Sequence, residues 1–394
     1  MAPALLATSL EHVQTFSTPA ALDASLLQVT KNPHPSEAPP DEDLAFGKHV
    51  TDHMLQVQWT SDYGWHRPRI IPYQEISLDP TACVFHYGFE CFEGMKAYKD
   101  ADGRIRLFRP NANLDRFNKS AARIALPEFN SGELLKLIAE FVKLEAEFIS
   151  ARPGYSLYLR PVLIGTNRGL GVSAPTSALL YLVASPVGPY FSAGFKPIRL
   201  EATSSSYATR AWPGGAGNQK IGGNYAPCIA PEKAAQGRGF HQLLWLFGDD
   251  DDITEAGTMN LFIVLRVPGG DNFEIVTPPL DGMILPGVTR DCVLSLARER
   301  LQPLGWLISE RRISMAEVAR ASQTGTLVEV FGTGTAAVVS PVKAIKWKND
   351  LLDCGLAPTQ NAGKVATLMK TWIENRQYGV EDHEWSVLVD RIGR

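Results

Sequence analysis

Three prolines and two glycines fall within Pro186–Pro197, near the middle of a 394-residue chain. Proline removes a backbone donor and glycine weakens any element it enters, so no strand or helix is expected to run through this segment. A chain of this length exceeds an ordinary single core, and the break is read as a boundary. The expected organisation is a small N-terminal α/β domain over 1–188, a linker over 189–199 and a large C-terminal domain over 200–394.

Local patterning on both sides is mixed. Between His53 and Tyr98, alternating runs such as Met54–Trp59 and Arg69–Glu75 read as strands separated by turns. Helical spacing covers Asn111–Ala125, with Asn111 or Asn113 as cap, and Ser131–Ser150, where Leu134, Leu137, Ile138, Phe141 and Val142 share one face. Tyr155–Ile164 and Ala178–Ala184 read as buried strands. The second half restarts with strands at Ile198–Ala202, Leu243–Phe247 and Met259–Val267, then helices at Thr289–Leu301, Met315–Ser322 and Lys364–Asn375. Short strands interspersed with helices predict two α/β or α+β domains facing a shared cleft, a favoured place for a ligand.

Composition narrows the partners. A net charge of −4 gives no reason to expect nucleic acid or an anionic membrane, and no apolar run is long enough to span a bilayer. The five cysteines (Cys83, Cys91, Cys228, Cys292 and Cys354) are scattered without CxxC or His/Cys pairing, so neither disulfides nor a metal site is expected. A reducing compartment follows. Met1–Ala20 is rich in Ala, Leu, Ser and Thr, but the first arginine is Arg67, and Glu11, Asp23, Glu37, Asp41, Glu42 and Asp43 precede it. A mitochondrial presequence is Arg-rich and acid-poor, so the cytoplasm is the expectation, with the mitochondrion as the alternative.

Chemistry concentrates in four places. Gly214–Tyr225 reads GGAGNQKIGGNY, which sets Lys220 between two glycine clusters. Glycines let backbone approach a flat group closely, and a desolvated lysine becomes a nucleophile toward carbonyls. Leu285–Arg290, LPGVTR, turns into a helix whose N-terminal N–H groups suit a phosphate. Gly332–Thr335, GTGT, follows an apolar strand and can form an anion nest. Glu255 in ITEAGTMN precedes a buried strand. Taken singly, each has an ordinary reading: a solvated lysine, a self-capped helix, a plain turn, a surface carboxylate. Together they meet one demand. A pyridoxal cofactor needs an amine for its aldehyde, N–H groups for its phosphate and a carboxylate for its ring nitrogen, and its amino-acid substrate needs a nest for a carboxylate.

Six motifs then carry a resemblance: VTDHM at Val50–Met54, FEGMKAY at Phe92–Tyr98, LYLRP at Leu157–Pro161, KIGGNY at Lys220–Tyr225, ITEAGTMN at Ile253–Asn260 and LPGVTR at Leu285–Arg290. From about Ala24 to its C-terminus the chain resembles the branched-chain aminotransferases of fold type IV, in their eukaryotic form. The resemblance implies α/β with α+β architecture, a two-domain D-amino-acid-aminotransferase-like fold whose large domain binds pyridoxal 5'-phosphate. Lys220 matches the lysine that condenses with the cofactor aldehyde and shuttles the substrate Cα proton. Tyr225 matches the partner of the phenolic oxygen, and Glu255 that of the ring nitrogen. Arg116, Arg210, Val288, Thr289 and Thr335 match the phosphate-binding set. For the substrate, the resemblance implies apolar walls from Phe92, Tyr158 and Tyr190, a carboxylate site on the Thr335–Ala336 backbone, and Arg160 for the distal carboxylate of glutamate. Tyr87, Leu170 and Val172 would enter from the other subunit of a homodimer.

The implied reaction moves the amino group of leucine, isoleucine or valine to 2-oxoglutarate in two half-reactions. The rivals are a D-amino-acid aminotransferase or chorismate-derived lyase of the same fold, and a catalytically silent cofactor-binding protein. Two departures stand out. Vertebrate members carry a redox-sensing CxxC after the GTA turn, where this chain has Ala337 and Ser340. His49 and Val50 stand where more aromatic character is expected at the pocket entrance.

Overall fold

A computed structural model describes residues 19–189, 195–203, 207–267, 269 and 272–393. Tyr190 and residues 191–194 of the proposed linker therefore lie outside the described residues. Two sheets organise the chain.

The first sheet runs in the order Gln28–Val29, Arg69–Pro72, His53–Thr60, Ser177–Val187, Ser156–Gly165, Met95–Lys99, Ile105–Phe108 and Ser386–Leu388. Glu90–Phe92 pairs antiparallel with Ser156–Gly165 at one side of this order. Period-2 alternation puts Leu55 and Val57, Leu157 and Leu159, and Leu180 and Leu182 on one face. Against that face pack two amphipathic helices, Pro110–Arg123 through Leu114, Phe117 and Ala121, and Ser131–Leu144 through Leu134, Leu137, Ile138 and Phe141. Each such fully buried side chain contributes roughly 1.5–3 kcal/mol.

The second sheet closes on itself. Asp252–Ala256, Gln242–Phe247, Ile198–Ala202, Val338–Trp347, Leu327–Gly334 and Met259–Arg266 follow one another, and Glu255 pairs back to Asn260 to complete a barrel. Leu261, Ile263 and Leu265 face one core, shared with helix Met315–Gln323. Phe262 and Val264 face another, covered by helices Val288–Arg300 and Lys364–Gln377. Tyr98, Phe108 and Trp385 join this second core from the side of the first sheet. The two sheets are thereby held together by shared apolar burial. Among the described residues no helix is long and apolar enough to cross a membrane.

Several expectations are corrected in detail. Ser386–Leu388, within the proposed 200–394 domain, returns to pair with Ile105–Phe108 of the first sheet. Neither Asn111 nor Asn113 caps the helix at Pro110; the chain enters it through Arg109 at φ 49, with proline in the first turn. Asn113 instead donates to Glu93 Oε2 (3.0 Å). The next helix stops at Leu144 rather than Ser150, since Glu145 is buried against His53. GTGT is not wholly a turn: Gly332, Thr333 and Gly334 remain in the strand ladder, and the chain reverses over 335–337. Helix Ala226–Gly237 went unrecognised because Pro227 and Pro231 break its pattern and Ala235 is its one buried residue.

Candidate active site

A cavity of about 370 Å³ opens between the sheets. The first sheet contributes Phe92, Gly94, Tyr158 and Arg160, with Arg116 from the helix beneath it. The barrel side contributes Glu255, Met259 and Asn260, the Gly287–Thr289 helix start and the Thr335–Ala337 turn. Lys220 and Tyr225 enter on the connecting loop. Tertiary packing thus gathers residues from Phe46 to Ala337.

Lys220 is held from both sides. Its backbone N–H donates to Ser120 Oγ (2.9 Å), and its carbonyl accepts from the Phe92 N–H (3.1 Å). Its ammonium lies 4.8 Å from the Phe92 ring centroid and 3.3 Å from the Tyr225 hydroxyl. Burial, aided by the nearby Arg116 charge, pulls its pKa down to about 8. Tyr225 is pushed above the ordinary phenol range by burial, so it stays a neutral donor.

Glu255 is buried on its barrel strand. Its Oε1 accepts from Asn260 Nδ2 and from the Leu285 N–H, both at 3.2 Å. Burial raises its pKa while Arg210 works to lower it. Arg210 departs from expectation: its guanidinium sits 2.5 Å from Glu255 Oε2 and reaches the Gly217 carbonyl, away from the cavity wall. This contact makes it a counter-ion to Glu255. Despite that ion pair, Glu255 Oε2 has no hydrogen bond of acceptable geometry.

Arg116 lines the cavity as expected, but Glu93 already engages it through Nε (2.7 Å) and Nη2 (2.9 Å), and its Nη1 donates to the Pro286 carbonyl (3.1 Å). Val288 and Thr289 lie at a helix start where no side chain caps the free N–H groups. Arg160 donates to the Tyr158 hydroxyl (2.9 Å), its guanidinium 4.8 Å from the Phe92 ring centroid, and its buried Nε has no partner among the described residues. Gly94 must lack a side chain, because a Cβ there would come within 2.0 Å of the Tyr158 hydroxyl. Tyr87, Leu170 and Val172 lie off this cavity and are exposed, with the Tyr87 hydroxyl donating to the Leu170 carbonyl. Tyr190 lies outside the described residues.

The family model for amino-transferase class IV matches residues 90–345, more than half of the chain. The chain belongs to the class IV aminotransferases. The mitochondrial branched-chain-amino-acid aminotransferase of Saccharomyces cerevisiae is 52% identical over 378 residues, covering 96% of each chain. The cytosolic one from the same yeast is also 52% identical, over 94% of this chain and 99% of its own. A solved branched-chain amino acid aminotransferase from T.th., complexed with N-(5'-phosphopyridoxyl)-L-glutamate, matches with a TM-score of 0.65 at 25% identity, over 84% of this chain and 98% of that one. This aminotransferase is a pyridoxal-phosphate-dependent transaminase of the branched-chain group.

Its site fits that cofactor. Lys220 offers the amine, the bare helix start offers phosphate donors, and Glu255 Oε2 is a buried acceptor still short of a well-aligned donor. Sequence reasoning missed several contributors to the aminotransferase site. Phe46 lines the cavity and packs edge-on to Tyr158 at 4.8 Å, supplying the aromatic character not found at His49 and Val50. Gln242 and Met259 also line it, and Glu93 orients Arg116. Phe46 has no periodic neighbours to mark it; Glu93, a carboxylate inside an otherwise apolar FEGM run, was a usable signal.

Proposed function

We propose that the enzyme transfers the amino group of L-leucine, L-isoleucine or L-valine to 2-oxoglutarate, as a homodimer, through Lys220. The observation that carries this reading is the placement of the Lys220 ammonium in one cavity with Tyr225, Glu255 and the Thr335–Ala337 turn, between aromatic walls. When bound, pyridoxal phosphate supplies the electron sink that stabilises charge left at the substrate Cα.

The chain's own residues do the rest. Lys220 Nζ removes the proton from Cα and returns it during the transfer; its lowered pKa leaves the amine free to act as a base near neutral pH. Glu255 and Tyr225 would hold the cofactor's ring nitrogen and phenolic oxygen. Val288, Thr289, Thr335 and Arg116 would hold its phosphate, with Arg210 serving through Glu255. The turn at Thr335–Ala336 takes the α-carboxylate. Phe46, Phe92 and Tyr158 exclude water around an aliphatic side chain, and the unpartnered Arg160 Nε gives the same pocket a donor for the distal carboxylate of glutamate. The exposed Tyr87, Leu170 and Val172 complete the pocket of a second copy. A cytosolic location is proposed from the acids between Glu11 and Asp43, and a fluorescent fusion to the full chain would test it.

A donor panel tests the substrate reading. With 2-oxoglutarate as acceptor, L-leucine, L-isoleucine and L-valine are expected to turn over, and D-alanine is not. Turnover restricted to D-amino acids, or none with any donor, would overturn it.

A further inference from the structure

Lys96 is a second buried lysine beside the cavity, on strand Met95–Lys99 and opposite Tyr158 in the ladder. Its side chain leaves the first sheet and ends on the second, where Nζ donates to the Ala336 carbonyl at 3.0 Å. A buried ammonium is costly unless it is hydrogen-bonded, and the Ala336 carbonyl supplies such a bond. Burial pulls its pKa down to about 8, with Glu374 on helix Lys364–Gln377 favouring its charge and Lys370 on the same helix opposing it.

The turn it touches is under strain. Val338 has φ 61, and the Val339 N–H donates to the Ala337 carbonyl at 2.8 Å, closing a three-residue turn on a β-branched residue in left-handed conformation. Such geometry persists where neighbours over-determine it. A trans peptide sets its C=O and N–H in opposite directions, so whatever holds the Ala336 carbonyl also aims the Ala337 N–H. Ala336 and Ala337 both line the cavity.

We propose that Lys96 is a positioning residue for substrate binding: by pinning the Ala336 carbonyl away from the cavity, it turns the Ala337 N–H toward the substrate α-carboxylate and sets a positive charge behind that turn. The inference rests on the assignment of this turn as the carboxylate subsite.

Calorimetric titration of the holoenzyme with 4-methylvalerate and with its uncharged amide tests it. Lys96→Met keeps the length and apolar stem of the side chain and removes the donor. It should weaken the carboxylate by about 10- to 100-fold, the worth of one charge-assisted hydrogen bond, and leave the amide within about twofold. KM for amino donors should rise more than kcat falls, and Lys96→Arg should recover most of the loss. Unchanged carboxylate affinity, or equal loss for acid and amide, would overturn the role. If Lys96→Met does not fold, Lys96→Gln replaces it, and the two ligands are compared in the same way. Ala337→Pro deletes the N–H itself without touching Lys96. Unchanged affinity there would show that the Ala337 N–H does not bind the carboxylate and so remove the proposed role, whereas loss there with none in Lys96→Met would remove Lys96 alone.

Discussion

Lys220 shows how little of a reactive group resides in its own chemistry. In water a lysine near pKa 10.4 is almost wholly protonated at neutrality. Burial, with the Arg116 charge nearby, brings it down to about 8, so about a tenth is free amine at pH 7. The free amine is what attacks an aldehyde, so reactivity grows as pH rises through that value. Covalent uptake of cofactor by the apoenzyme should therefore quicken about tenfold per unit below pH 8 and level off above it. Absorbance stopped-flow across pH 6–10 follows this, and a rate still climbing above pH 9 would contradict the shift. Lys220→Ala should lose at least about a thousandfold in turnover, with an unchanged circular dichroism spectrum, since no neighbour supplies an equivalent base.

At the scale of an element, the KIGGNY loop works because it is stitched to strand Glu90–Phe92. Phe92 bonds the Lys220 carbonyl, Cys91 bridges Ile221, and the Glu90 carboxylate accepts from Gly222. Asn224 closes the loop by donating to the Ala216 and Gln219 carbonyls at 2.7 and 2.8 Å. A Cβ on Gly222 would fall 2.0 Å from Glu90 Oε2, so the loop and carboxylate could not both keep their places. Gly222→Ala should reduce kcat on the order of 100-fold, the cost of a displacement near 1 Å at the reacting group. Adding Glu90→Ala removes the obstructing oxygen, and the double variant should come within about threefold of Glu90→Ala alone. Steady-state kinetics on the three proteins measures this coupling. Simple additivity would show that the glycine matters for another reason.

Two predictions concern the whole molecule. Phe85, Tyr87, Leu170 and Val172 are 60%, 41%, 66% and 72% exposed, a concentration of apolar side chains that a second copy would cover. Sedimentation at low protein concentration should give dimers, and Leu170→Asp with Val172→Asp should lower assembly and turnover together. A fully active monomer would refute the shared pocket. The second prediction is redox insensitivity. Ala337 and Ser340 leave no thiol pair at the turn, Ser340 is fully buried on its strand, and all five cysteines are free. Burial also holds the Cys91, Cys292 and Cys354 thiols protonated and unreactive. Mild peroxide should leave leucine transamination largely unchanged. Rapid loss fully reversed by dithiothreitol would reveal a cysteine switch elsewhere.

Chemical identity was legible in the linear chain because covalent and phosphate chemistry needs specific residue types in short, glycine-punctuated runs. Lys220 in KIGGNY, Glu255 in ITEAGTMN and the LPGVTR helix start all line the cavity. Alternation along Met259–Arg266 and helical spacing along Ser131–Leu144 were legible too, since each element buries one face. Closure of the barrel was not, because it depends on Glu255 meeting Asn260 across a turn rather than on any periodicity. Arg210 was matched by motif to the phosphate set, and its ion pair with Glu255 is made only by the tertiary fold. Phe46 and Lys96 reach the site from segments distant in sequence, and Ser386–Leu388 crosses back to the first sheet. Residue type and local spacing are properties of neighbours along the chain. Which charge neutralises which, and which carbonyl a lysine holds, depends on where distant segments come to rest when their apolar faces are buried together.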